Sequence, residues 1–418
     1  MNAEVRAVGE GELAVQRVVQ RYPLEPGSWV TLTPGTEGWR CAVDHTPPAG
    51  DTPAFGADAL AHLLRYQQVP PVERFDLVRH VPTPEASGER PLDDDGRVVV
   101  VGERVVVAWS DLIRDIPYTA PITLAQLSAV NFLGVPDTHG LLVWTTPTGH
   151  EAPVAIVTRY LPRAVDGRQA LLALLRQGVG VEPSETPSLT GRMGRIAAAL
   201  HVALATRSTV LAEPVRPAEA SDLFGWHRRV RDTVDRAALA AAEIEGSRAD
   251  DLPGPGGPPD QQGTDIFRRF LASLTTYRAD ADLLARAAES GMPVMLQRVH
   301  GDLHVRRILR WAGGLTITGF GGEPRYDAPT LGPQPAARDL ARLLQSLASI
   351  ARDIDAGAGS TRCTAEWLPE ARRRMLAAYR TEMTVANRPE LLDERLVAAF
   401  EAEHAAREVI QEARTLGT

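Results

Sequence analysis

The chain has 418 residues, 44% of them hydrophobic and 23% charged, with a formal net charge of −8. That length is too great for a single core and suits two or three lobes of ordinary domain size. The acidic balance argues against a nucleic-acid partner. No apolar run approaches the roughly 20 residues that a membrane span needs.

The N-terminal stretch lacks a basic segment followed by an apolar one, so no signal peptide is expected and a cytoplasmic location is. The first ~90 residues mix short strand-like pieces, such as Trp29-Val30-Thr31-Leu32, with a helical patch from Ala57 to Gln68. Thr83 to Gly96 is rich in Pro, Gly and Asp and reads as a loop. Arg97 to Trp109 holds two β-branched runs around Gly102-Glu103, a β-hairpin signal. A helical pattern from Ile122 to Leu133 and strands at Leu141–Trp144 and Val154–Tyr160 follow, which suits a small sheet with that helix packed on it. Beyond Leu161 the pattern is largely helical, over 168–176, 189–205, 220–249, 264–288, 336–350, 365–384 and 389–414. One β-rich island, Met295 to Phe320, interrupts these helices.

All 45 basic residues are arginine. The absence of lysine excludes a Schiff base, a P-loop lysine and the usual kinase lysine. Cys41 and Cys363 give neither a disulfide framework nor zinc spacing, and read as structural thiols.

RVHGDLHVRRIL at 298–309 resembles the catalytic loop of aminoglycoside-phosphotransferase-like kinases, and GFGGEP at 319–324 is similar to a segment of the maltokinases. Family-like pieces also occur in order at 135–144, 157–167, 189–205, 337–347 and 400–414. The resemblance implies an α+β, two-lobed protein-kinase-like fold. Its parts would be an N-terminal cap over 1–94, an N-lobe over 95–161, and a mostly helical C-lobe over 162–418 that carries the catalytic-loop segment 298–324.

The departures bear on chemistry. In such kinases a strand lysine pairs with ATP phosphates, and Ala108 stands at that position. The magnesium ligand of the loop falls on Arg307, and the metal-binding Asp and the following Glu of the second motif fall on Gly319 and Gly321. Phosphoryl transfer depends on positioning and charge neutralisation, so these losses predict negligible ordinary kinase activity, with neither cofactor nor metal.

Asp302 is the acid/base candidate implied by the loop, with His304 beside it. Arg306 and Arg307 are either a solvated pair or a direct anchor for a carboxylate or phosphate. Glu323 is either a turn residue or a substrate contact. His404 and Arg407 fall on the family's sugar-binding helix, and His300, Arg338 and Asp339 are expected to hold the loop. Loss of magnesium would raise the pKa of Asp302, whereas a nearby arginine would lower it.

Three functions stay open. The leading one is a repurposed metal-free enzyme that acts on a polar small molecule, anionic or sugar-like, with Asp302 as acid/base. The second is a non-catalytic pseudokinase that binds or regulates a carbohydrate enzyme as protein partner. The third is a divergent sugar, amino-sugar or cyclitol kinase that has rebuilt its nucleotide site with arginines. Neither nucleic acid nor membrane is expected as a partner.

Overall fold

The β-branched runs of the N-terminal third pair into antiparallel sheets, as their period predicts. The structure is a computed structural model that describes residues 19–25, 28–45, 55–65, 72–176, 188–250, 261–320, 332–358 and 361–416. It has two compact units. The first comprises the described residues up to Tyr118 together with His139–Tyr160, and the second comprises Thr119–Thr138 and Leu161 onward.

In chain order the first unit begins with β1 (Gln20–Glu25), β2 (Ser28–Pro34), β3 (Trp39–His45) and α1 (Ala57–Arg65). β4 (Phe75–Arg79), β5 (Glu89–Pro91), β6 (Val98–Val101), β7 (Val105–Trp109) and β8 (Leu112–Ile113) follow. After α2 (Ala120–Ala129), β9 (Thr138–Thr145) and β10 (Glu151–Arg159) complete it. One sheet has the order β1-β2-β3-β8, the other β4-β9-β10-β7-β6-β5. The hairpin expected at 97–109 is β6 and β7, paired from Val98↔Ala108 to Val101↔Val105. Gly102 and Glu103 both have positive φ, 56° and 54°, the hand a tight hairpin turn requires. Val99, Val101, Val105 and Val107 share a core with Ala57, Leu60, Ala61 and Leu64 of α1.

Two local expectations change. Residues 89–91, expected in a loop, form the edge strand β5. The helix expected to cover the sheet, α2, belongs instead to the second unit. Its buried Gln126 donates through Nε2 to the carbonyls of Ala203 (3.2 Å) and Thr206 (2.6 Å). A buried amide needs partners, and these two carbonyls at the end of a helix supply them.

The second unit continues with β11 (Val165–Asp166), α3 (Gly167–Arg176), α4 (Leu189–Leu204), β12 (Val215–Pro217), α5 (Ala220–Asp250), α6 (Gln261–Ala272) and α7 (Leu274–Glu289). It ends with β13 (Met295–Gln297), β14 (Ile308–Trp311), β15 (Gly314–Ile317), α8 (Ala337–Ala358), α9 (Leu368–Val385) and α10 (Val397–Leu416). The single helix expected over 264–288 is two, broken at Ser273. α4 packs on α9, while α10 packs on α5, α7 and α8, around an alanine- and leucine-rich core. The island at 295–320 keeps its β character: β13 pairs with β12, and β14 and β15 form a hairpin beside β11.

Cys41 and Cys363 are buried free thiols, and burial pushes them up to about 12 and about 11 respectively. Among the described residues no helix is long and apolar enough to cross a membrane.

Candidate active site

The loop between β13 and β14 carries HGDLH, and its backbone is held from below. Asp339, in the first turn of α8, is buried; its Oδ2 accepts from the His300 amide (2.7 Å) and its Oδ1 from the Gly301 amide (2.9 Å). Gly301 has φ 88°, which a side chain would strain, so glycine lets the chain turn over this carboxylate. His201 of α4 lies 3.1 Å from Asp339 Oδ2 through Nε2 and 2.5 Å from the Tyr379 hydroxyl of α9 through Nδ1. A carboxylate only accepts, so Nε2–H donates to Asp339, while Nδ1 pairs with the Tyr379 hydroxyl. Burial opposes the charge of Asp339, but the hydrogen bond from His201 and the contacts with His300 hold its carboxyl below the usual range.

His300 lies in the same loop. It is buried, its Nε2 lies 3.0 Å from the Thr318 carbonyl, and its Nδ1 accepts from the Asp302 amide at 3.3 Å. Both ring nitrogens are thereby used in the neutral form, and burial lowers its pKa.

Asp302 stands out from this frame with a side chain 45% exposed. Arg307 Nη2 donates to its Oδ2 at 3.2 Å, His304 Nε2 lies 3.5 Å from the same oxygen, and Arg342 Nε lies 3.5 Å from Oδ1. Burial works against the charge, but the hydrogen bond and charge of His304, with Arg342 and Arg307, outweigh it. The carboxyl is held well below its usual range. Of the two opposing effects expected at Asp302, the cationic one wins, and the group is a carboxylate at neutral pH. It can accept a proton or a hydrogen bond from a hydroxyl, but it has no proton to give.

The other expected residues divide. Arg306 is exposed and is not among the cations around Asp302. Arg338 is buried and donates to Glu403 Oε1 at 2.9 Å, while Arg407 donates to the same oxygen at 2.6 Å. His404 is buried, and its Nε2 has no hydrogen-bonding partner. Ala108 lies within β7, opposite Val98 and Ile156. Gly321 and Glu323 lie outside the described residues. Arg342, His201, Tyr379, Glu403 and Glu408 carry the site's electrostatics and were not picked out from sequence. The signal for Arg342 lies in the segment ARDLARLLQSL, three residues after Asp339 and hence on the same helical face.

The described residues at the two candidate positions do not fit a divalent metal. Arg307 brings a cation to the position where the resemblance places one ligand, and Gly319 brings no side chain to the other. Among the described residues no group of three or more His, Cys, Asp or Glu could hold a metal ion.

No family model matches the chain. A glucosamine kinase of Mycolicibacterium smegmatis is 30% identical over 343 residues, 79% of this chain and 76% of that protein. A glucosamine kinase of Streptacidiphilus jiangxiensis is 28% identical over 374 residues, covering 86% and 77%. Among solved structures, a glucosamine kinase superposes with TM-score 0.73 at 24% identity, covering 95% of this chain and 90% of that one. A glucosamine kinase in complex with glucosamine, ADP and inorganic phosphate superposes with TM-score 0.72, covering 96% and 90%.

These findings correct the reading from sequence. The maltokinase and aminoglycoside-phosphotransferase assignment, for family and for fold, gives way to glucosamine kinase, and the mixed α/β architecture is the one shared with those solved structures. The physical reason is that the quoted motifs hold a loop and its carboxylate, and that local machinery specifies neither the sugar nor the fold around it. The pseudokinase alternative finds no support among relatives named as kinases. With 30% identity over 76% of the Mycolicibacterium smegmatis protein, the chain belongs to the glucosamine kinase family.

Proposed function

We propose that the chain is a divergent amino-sugar kinase, with Asp302 as the base toward the accepting hydroxyl. The relatives favour this reading over a repurposed non-kinase enzyme. The observation that carries it is the state of Asp302: an ionised, half-exposed carboxylate on a loop that Asp339 fixes through two backbone amides. In that state it orients a sugar hydroxyl and takes its proton as the oxygen attacks phosphorus. The bond from phosphorus to the leaving nucleoside diphosphate breaks in the same displacement. Charge spreads over the phosphoryl oxygens, and Arg307 and Arg342 stand within reach of the reacting carboxylate to offset it.

The experiment is phosphorus NMR of glucosamine mixed with nucleoside triphosphates, with and without magnesium. The expected result is a new phosphomonoester signal that falls by on the order of 10²-fold or more in Asp302→Asn, which keeps the shape but loses the base. Sugar binding without phosphoryl transfer under every condition would remove the reading.

A further inference from the structure

The β14–β15 hairpin brings Arg307 and Gly319 together. Beyond the last ladder pair, Ile308↔Ile317, the Thr318 amide donates to the Arg307 carbonyl at 2.8 Å, so Gly319 emerges beside Arg307. A Cβ built on Gly319 would lie 2.6 Å from Arg307 Cδ, 2.7 Å from Nη1 and 2.9 Å from Cζ. The guanidinium thus lies along the bare backbone of Gly319, where φ is 87°. The large residue at one position requires the missing side chain at the other. From this seat Nη2 reaches Asp302, while Nε is buried without a hydrogen-bonding partner.

Among the described residues the charge around this seat is unbalanced. Arg307 and Arg342 face Asp302, and Arg342 and Arg352 face Glu408 at 3.7 and 3.1 Å. Among the described residues three guanidiniums therefore meet two carboxylates, with His304 beside them. A divalent cation placed against Asp302 would be repelled by a charge that arginine cannot discharge. An anion would be attracted, and the planar guanidinium of Arg307, whose side chain is 33% exposed, suits phosphate oxygens.

We propose that Arg307, seated on Gly319, takes the part that a divalent metal would otherwise play. It binds the phosphate oxygens of the phosphoryl donor directly, so the site accepts a metal-free polyphosphate. This rests on the kinase reading above and names its donor side. In the transfer the acceptor oxygen–phosphorus bond forms, the phosphorus–oxygen bond to the donor breaks, and the proton passes to Asp302. The charge left on the departing oxygen meets Arg307.

The test is calorimetry of the full chain with inorganic pyrophosphate in EDTA, followed by excess magnesium. Pyrophosphate is expected to bind in EDTA, at least tenfold more weakly in Arg307→Gln, and more weakly in the parent once magnesium sequesters the ligand. Circular dichroism checks that the variant is folded, and Arg307→Lys, which keeps the charge, is expected to restore part of the binding. A second variant, Arg307→Asn with Gly319→Asp, clears the seat and supplies two oxygen ligands, and because φ of 87° at Gly319 strains a side chain its fold is checked by circular dichroism as well. It is expected to bind pyrophosphate only with magnesium. Binding by the parent only with magnesium, no binding at all, or an unchanged affinity in Arg307→Gln would overturn the proposal. The probe needs neither sugar nor turnover. Metal-free binding through Arg307 without glucosamine phosphorylation would reject the sugar and keep the anchor, and turnover that requires magnesium would do the reverse.

Discussion

Arg338 and Arg342 stand one helical turn apart on α8, and each faces a carboxylate under opposite conditions. Arg338 is 2% exposed and Glu403 0%, and the guanidinium also lies over the Phe400 ring at 5.3 Å. Burial weakens Arg338 as a cation, to about 10, while Arg338 and Arg407 hold Glu403 down to about 2 against the same effect. Both groups are charged at neutral pH, yet Arg338 Nε and Nη1 and Glu403 Oε2 lack partners. Arg342 is 25% exposed and Asp302 45%, with Arg307 and His304 close by. The chemical groups are the same, and access to water separates them. A dry ion pair cannot exchange its partner without a large penalty, so it fixes α8 against α10. A wet one can trade its partner for a ligand, so it is available for chemistry.

The comparison is tested most severely at the dry pair. Glu403→Ala leaves Arg338 buried and unmatched, and is expected to cost about 3–5 kcal/mol in urea unfolding at pH 7. Replacing both members, Arg338→Met with Glu403→Met, is expected to recover most of that loss. A single-variant loss below about 1 kcal/mol would place the pair in water and end the contrast.

The next effect appears as pH falls. His404 is buried beside Arg342, Glu403, Arg338 and Arg407, and burial together with the arginines lowers its pKa to about 3. The unfolded chain takes up a proton on this ring below pH about 6.5 and the folded chain does not. Stability is therefore full above that value and falls, by up to about 1.4 kcal/mol per pH unit, toward pH 3. Glu403, lowered from 4.5 to about 2, adds a loss of the same sign below pH 4.5. His404→Gln is expected to reduce the slope between about pH 6.5 and 4.5, leaving what burial of His300 and His80 contributes. An unchanged slope would mean that His404 is protonated in the fold.

The smallest stability effect belongs to the wet cluster. Asp302→Asn is expected to change unfolding free energy by less than about 1 kcal/mol, because its ion pairs are half-exposed and screened. The same change is expected to lower phosphoryl transfer by on the order of 10²-fold or more. A large destabilisation would make Asp302 a structural residue.

Local signals were legible in the sequence and remote ones were not. The valine hairpin and the HGDLH loop could be read directly because each is set by neighbouring residues. The buried support was hidden by sequence distance. His201 and Tyr379 are 178 residues apart, and His201 and Asp339 are 138 apart, so nothing local announces that they meet. Arg342 looked like one more arginine in a chain with no lysine, and only the packing of α8 under the loop gives it Asp302. The helix α2 was read correctly as a helix, but its partner was not, because Gln126 finds its acceptors at the end of α4. The family was misread for a related reason: the strongest motifs describe how a carboxylate is held, and say little about which sugar approaches it.

The placement of α2 has one more consequence. The chain changes unit after Tyr118, after Thr138 and after Tyr160, so neither unit is a continuous stretch of sequence. A fragment that begins at residue 161 would lack Gln126 and Leu127, which belong to the second unit's hydrogen bonding and core. Recombination at one boundary therefore yields two incomplete halves. A viable chimera with a relative needs matched exchange points on both sides of α2, and the gene is expected to tolerate crossovers there only in pairs.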